Sequence, residues 1–155
     1  MKNHPSKNFK RTYKPAGDRG FTLIEVLVAI SILCFGLLGV AAMQVSSIRG
    51  NDLASDLTEA SVWASDHLEM LMRTAAADYN DPLLSDTDGD GDGGLGETGA
   101  SADYQQMTPD NRFTINWNVS VNSPLTNTKT VNVIVSWSGQ FGTKNVSIRQ
   151  IISQV

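Results

Sequence analysis

The chain has one cysteine, Cys34, in its 155 residues. An intramolecular disulfide is therefore excluded, and cysteine usage argues neither for nor against an oxidising compartment. Cys34 lies in an apolar run and reads as a small buried apolar side chain. Histidine is nearly as scarce. His4 falls in a basic N-terminal stretch, and His67 has no cysteine or second histidine at metal-ligand spacing, so it reads as a surface or packing residue. There is no recognisable nucleophile–base arrangement and no glycine loop of the phosphate-cradling kind, so no enzymatic activity is expected. Basic residues are few beyond residue 20. Residues 1–20 carry +5 and residues 21–155 carry −9, behind an overall charge of −4. Without a basic patch to neutralise phosphates, that remainder is not expected to bind nucleic acid.

What the chain does have is one long apolar run. From Phe21 to Met43 the only clearly polar residues are Thr22, Glu25 and Ser31. The run has 23 residues, enough to cross about 30 Å of hydrocarbon as a helix. A secretory signal has an apolar region of about 7–15 residues followed by a small-residue cleavage site. This run is longer and ends in no such site, so it is expected to stay in the mature protein. The basic stretch before it keeps the N-terminus cytoplasmic by the positive-inside rule, and the acidic remainder is then exported. Glu25 is the exception within the run. A carboxylate at the centre of a spanning helix costs roughly 2.5–3.5 kcal/mol or more, so it needs either a cation or a place at the bilayer edge.

Beyond Met43, Leu53, Leu57, Ala60, Ala64, Leu68, Leu71 and Ala75 recur every three or four residues, which marks one apolar helix face. Glu69 and Arg73 form a favourable i,i+4 pair off that stripe. The helix should fail near Asp78-Tyr79-Asn80-Asp81-Pro82, because proline disfavours helix in the residue before it. Residues 79–112 are rich in Asp, Gly, Ser and Thr and read as a long surface loop. From Phe113 the period changes to two. Phe113, Ile115, Trp117, Val119 and Val121 alternate with polar residues, as do Val131, Val133, Val135 and Trp137, with Ser138-Gly139-Gln140 opening a turn. Val146 and Ile148 start a third strand, expected to run to about Ile152. These are half-buried strands of an antiparallel meander, whose apolar face needs the stripe of residues 53–75 as its cover. Trp63, Trp117 and Trp137 are expected in that core. The expected fold class is α+β: a long N-terminal helix packed on a C-terminal antiparallel sheet of three or more strands.

Within the loop, Asp86-Thr87-Asp88-Gly89-Asp90-Gly91-Asp92-Gly93-Gly94-Leu95-Gly96-Glu97 fits the calcium-loop spacing D-x-[DN]-x-[DN]-G-x5-E. Carboxylates at alternate positions of a tight loop converge on a hard cation, and a glycine at the sixth position permits the turn. Asp86, Asp88, Asp90 and Glu97 would be side-chain ligands of Ca2+, and Asp92 would contribute through backbone or side chain. Against a true EF-hand, Gly93 replaces an apolar residue and the glycine-rich flanks do not look helical. The alternative is a solvated acidic segment without a metal.

Gly20-Phe21-Thr22-Leu23-Ile24-Glu25-Val26-Leu27-Val28, with the basic leader before it and the helix-then-sheet pattern after it, resembles the type IV pilin family, including the pseudopilins of type II secretion. Gly36-Leu37-Leu38-Gly39 with Ala42-Met43-Gln44 looks most like minor pilins of the PilV type, the pilus modification proteins. The residue pattern and the resemblance together divide the chain into five expected segments. These are a cleaved leader (1–20), a transmembrane and assembly helix (21–43), an amphipathic helix of the globular domain (44–78), the acidic loop (79–112) and the sheet (113–155). It implies that prepilin peptidase cuts between Gly20 and Phe21 on the cytoplasmic side and that Phe21 becomes N-methylated. It also implies that Glu25 pairs with an N-terminal amine, its own or a neighbouring subunit's, which would meet the energetic need noted above. Around Gly36 and Gly39 the helix could extend locally or pack closely through small residues. The implied partners are major and minor pilins, the inner-membrane assembly platform and membrane lipid, with the protein passing from inner membrane to pilus or cell surface. The missing C-terminal cysteine pair favours a minor pilin or pseudopilin over a bulk subunit. The expected function is a minor pilin of pilus assembly or initiation at or near the tip, tuning adhesion, twitching motility or DNA uptake. The alternatives are a minor pseudopilin of type II secretion and a membrane-tethered, calcium-dependent binding module.

Overall fold

The computed structural model describes residues 20–139 and 142–154. The leader expected over 1–20 lies outside them except for Gly20, as does the turn residue Gln140.

A single helix, α1, runs from Leu23 to Ala77. Its start falls two residues after the expected Phe21. Gly50 and Asn51 lower helix propensity locally but do not interrupt it. Thr22 caps its first turn: its Oγ1 accepts the Glu25 amide at 3.3 Å and its carbonyl accepts the same amide at 3.1 Å. Thr22 and Glu25 stand at capping-box spacing, which seats the acidic residue in the turn where the helix dipole favours it. The chain divides into two compact units at residues 46 and 47. In the first, Phe21 and the apolar side chains of α1 as far as Met43 are exposed, and so is Cys34, contrary to its expected burial; the helix is long and apolar enough there to cross a membrane.

The second unit holds the core. Only Ala60, Ala64, Leu68, Leu71 and Ala75 of the expected stripe are buried, whereas Leu53 and Leu57 remain exposed. These buried residues meet an antiparallel sheet of order β1-β2-β3-β4, with β1 Tyr104–Met107, β2 Phe113–Val121, β3 Thr128–Gly139 and β4 Gly142–Ser153. In register, Ile115 faces Val135, Trp117 faces Val133 and Val119 faces Val131. That apolar ladder lies against the helix stripe, with Trp63, Val146, Ile148 and Ile152 packed at its margin. Trp117 sits at the centre. Its ring lies 4.5 Å from His67 and 5.0 Å from Tyr104, and its Nε1 donates to the Leu83 carbonyl at 3.1 Å. Burial lowers the His67 pKa, and its Nε2 has no hydrogen-bond partner among the described residues. Packing is therefore the role of this histidine. At the far end of the ladder the buried Lys129 donates to the Tyr79 and Leu84 carbonyls at 2.7 and 2.8 Å, on the segment that follows α1.

The segment expected as a plain surface loop is more ordered than its composition indicates. Short 3-10 turns occupy Pro82–Leu84, Gly91–Gly96 and Gly99–Ser101, and β1 follows. β2 and β3 are also not half-buried, whereas the edge strands β1 and β4 hold no buried residue. Asn116, Asn118, Ser120, Thr130 and Asn132, on the face opposite α1, are buried as well. Residues 92–103 lie across that face and are held by its polar side chains. Asn116 Oδ1 accepts the Gly99 amide at 3.0 Å, Asn118 accepts the Asp103 amide at 2.9 Å and donates to the Glu97 carbonyl at 2.9 Å, and Asn132 donates to the Leu95 carbonyl at 2.5 Å. A covering segment poor in apolar residues is thus fixed through its backbone, each bond satisfying a buried polar group that would otherwise be costly.

Candidate functional site

The N-terminal residues that carry the motif lie together at the start of α1. Gly20 precedes the helix in irregular, exposed backbone, Phe21 follows with 82% of its surface exposed, and Thr22 begins the first turn. A peptide bond in irregular, exposed backbone is accessible to a peptidase, whereas one inside a hydrogen-bonded helix is not. Glu25 is exposed in that first turn, one helical turn along from the bond between Gly20 and Phe21.

The acidic loop brings some of its carboxylates together and diverts one. One oxygen each from Asp88, Asp90 and Glu97 lies within 4.8 Å of the others, and so does one each from Asp86, Asp88 and Asp103. Asp88 belongs to both groups. Gly91, at the sixth position of the pattern, has a φ of 60°, a left-handed conformation that glycine adopts without strain. The loop closes on Asp86, whose Oδ1 accepts the Gly89 amide at 2.7 Å and whose Oδ2 accepts the Gly91 amide at 3.0 Å. Asp90 folds back over Gly94, where a Cβ would fall 2.0 Å from its carboxylate oxygens. Loss of hydration, then the facing carboxylates Asp88, Glu97 and Asp86, raise the Asp90 pKa.

Asp92 points elsewhere. Its Oδ1 accepts from Ser123 Oγ at 2.5 Å and Ser120 Oγ at 2.8 Å, bonds that lower its pKa. It ties the loop to β2 and the turn after it. Asp103, which sequence spacing does not single out, takes a place beside Asp86 and Asp88. Its Oδ1 accepts the Thr87 amide at 2.6 Å and Thr87 Oγ1 at 2.7 Å, and its Oδ2 accepts the Val119 amide at 2.8 Å. Its position just before β1 is the only signal, and it becomes legible only once β1 is known to pair with β2.

A family model described as the prokaryotic N-terminal methylation motif matches residues 16–41. No curated protein and no solved structure matches the chain.

Proposed function

The chain carries the prepilin-type N-terminal methylation motif that marks the type IV pilin family, and from that premise we propose that it is a minor pilin of the PilV type. The motif points to a structural protein anchored in a membrane and assembled with other pilins. In the finer reading, prepilin peptidase removes residues 1–20 and Phe21 is methylated. The subunit then joins a pilus at or near its tip, where it helps initiate assembly and tunes adhesion, twitching motility or DNA uptake. The observation that carries this reading is the match over residues 16–41, joined to a helix that starts at Leu23 with Glu25 in its first turn. Glu25 supplies the negative partner for an N-terminal amine. A minor pseudopilin of type II secretion shares every one of these features. A deletion strain separates the two: loss of piliation or twitching with normal secretion supports the pilin, and the reverse supports the pseudopilin.

Ca2+ at the acidic loop is a second proposal, supported by two overlapping carboxylate triads that share Asp88: Asp88, Asp90 and Glu97, and Asp86, Asp88 and Asp103. The donor set suits calcium, which takes six to eight oxygens in flexible geometry. Asp92 would serve as a loop anchor. In the absence of metal, ionised Asp90 works against folding above its raised pKa, and that strain is relieved as the pH falls. Calcium requires the ionised form, so affinity should weaken on acidification sooner than an ordinary carboxylate would dictate. Calorimetry at millimolar calcium should show binding at pH 7.5, weaker binding at pH 5.5, and none in a variant carrying Asp88→Asn and Glu97→Gln. No calcium-dependent heat or stabilisation in the parent protein would eliminate the site and, with it, the calcium-dependent binding module.

A further inference from the structure

A cleft of about 310 Å³ lies beside the end of the β3–β4 ladder, walled by Arg49, Asp52, Leu53, Trp137 and Lys144. Trp137 and Lys144 are register partners. The Lys144 stem crosses Gly139, where a Cβ would lie only 3.0 Å from its Cε, so the bare glycine lets the lysine lie across β3. Asp56, on the same wall, is already bound by Arg112 at 2.9 Å. Among the described residues, Arg49, Lys144 and Asp52 have no ion-pair partner. The Trp137 indole nitrogen is buried and has no hydrogen-bond partner among them either. Two cations and one carboxylate without partners thus share a cleft with an aromatic wall.

We propose that this cleft holds the headgroup of an amine-bearing membrane phospholipid, its phosphate between Arg49 and Lys144 and its ammonium at Asp52. Guanidinium and ammonium groups bind phosphate oxygens through charge-assisted hydrogen bonds. Asp52 repels a purely anionic headgroup and attracts one that ends in an amine. The lipid source follows from the chain itself. Arg49 comes six residues after Met43, the last residue of the apolar run. A long basic side chain that follows a spanning segment this closely in the sequence snorkels to the headgroups at its end. The inference rests on the membrane-anchored reading and adds a specific lipid to it.

The full chain in nanodiscs of phosphatidylcholine doped equally with phosphatidylethanolamine and phosphatidylglycerol provides the test, with retained lipid identified by native mass spectrometry. Phosphatidylethanolamine should dominate, the Arg49→Gln, Lys144→Gln double variant should retain about tenfold less, and Asp52→Asn should erase the preference over phosphatidylglycerol. Equal retention of all three lipids, or unchanged retention in the double variant, would overturn the site. Soluble phosphoethanolamine competing as well as the lipid would overturn the assignment to a membrane lipid. Insertion into the disc is scored separately: failure to insert contradicts the anchored reading, while insertion without selective retention contradicts the headgroup site alone.

Discussion

Alanine in place of Glu25 is expected to leave leader removal intact and to lower incorporation into sheared filaments by about a hundredfold or more. Removing one member of a buried ion pair costs about 3–5 kcal/mol, because the other charge is left without a partner, and that corresponds to two or more orders of magnitude in an equilibrium. A weaker, local effect competes with it. Glu25 stands at the third helical position after Thr22, where a capping box stabilises the first turn. Thr22, the N-cap, is untouched by the change, and losing an acidic side chain in the first turn costs about 0.3–1 kcal/mol. Glu25→Gln separates the two, because glutamine serves a capping box but carries no charge. The pairing account has glutamine failing like alanine in sheared pili. Normal incorporation of the glutamine variant would reduce Glu25 to a helix cap.

Trp117→Ala should be the most damaging change in the second unit. The ring is wedged between His67 and Tyr104, and its indole hydrogen bond holds the Leu83 carbonyl just after the helix. Truncating a buried tryptophan costs about 3–5 kcal/mol, before counting the stranded carbonyl. In a domain of this size the expected fall in Tm is more than about 10 °C. Circular dichroism melts of the full chain in detergent read the change directly. Trp63→Ala is the control: that ring is only partly buried and stands at the core margin, so it should shift Tm far less. Equal shifts for the two would mean that Trp117 does not join helix, β1 and loop as described.

The parts of this fold that sequence reveals are those set by local rules. The end of α1 at Ala77 follows from the run up to Pro82. The alternation from Phe113 and from Val131 marks the residues that face the helix. β1 escapes notice for a physical reason: Gln105, Gln106 and Met107 are exposed and the strand is held by backbone pairing to β2, so its side chains carry no period. The polar half of the alternation misleads in the same way. Asn116, Asn118 and Asn132 look solvent-facing, yet their partners are backbone groups of residues 95–103, a class of contact that leaves no trace in side-chain pattern.

The same contrast runs through the candidate sites. Gly20, Phe21 and Glu25 are contiguous with one motif and can be read directly. The acidic loop can be read only in part, because spacing places carboxylates along the chain but not in space. Asp92 fits the spacing and turns to Ser120 and Ser123, whereas Asp103 lies outside the pattern and joins Asp86 and Asp88.

The central claim is that this chain is processed as a prepilin. The intact mass of the protein, expressed with and without prepilin peptidase, tests it most directly. With the peptidase, the mass should be that of residues 21–155 carrying one added methyl group, and fragmentation should place the methyl on the Phe21 amine. A chain that keeps its first twenty residues in the presence of active peptidase, or that is cut anywhere other than after Gly20, would contradict the account.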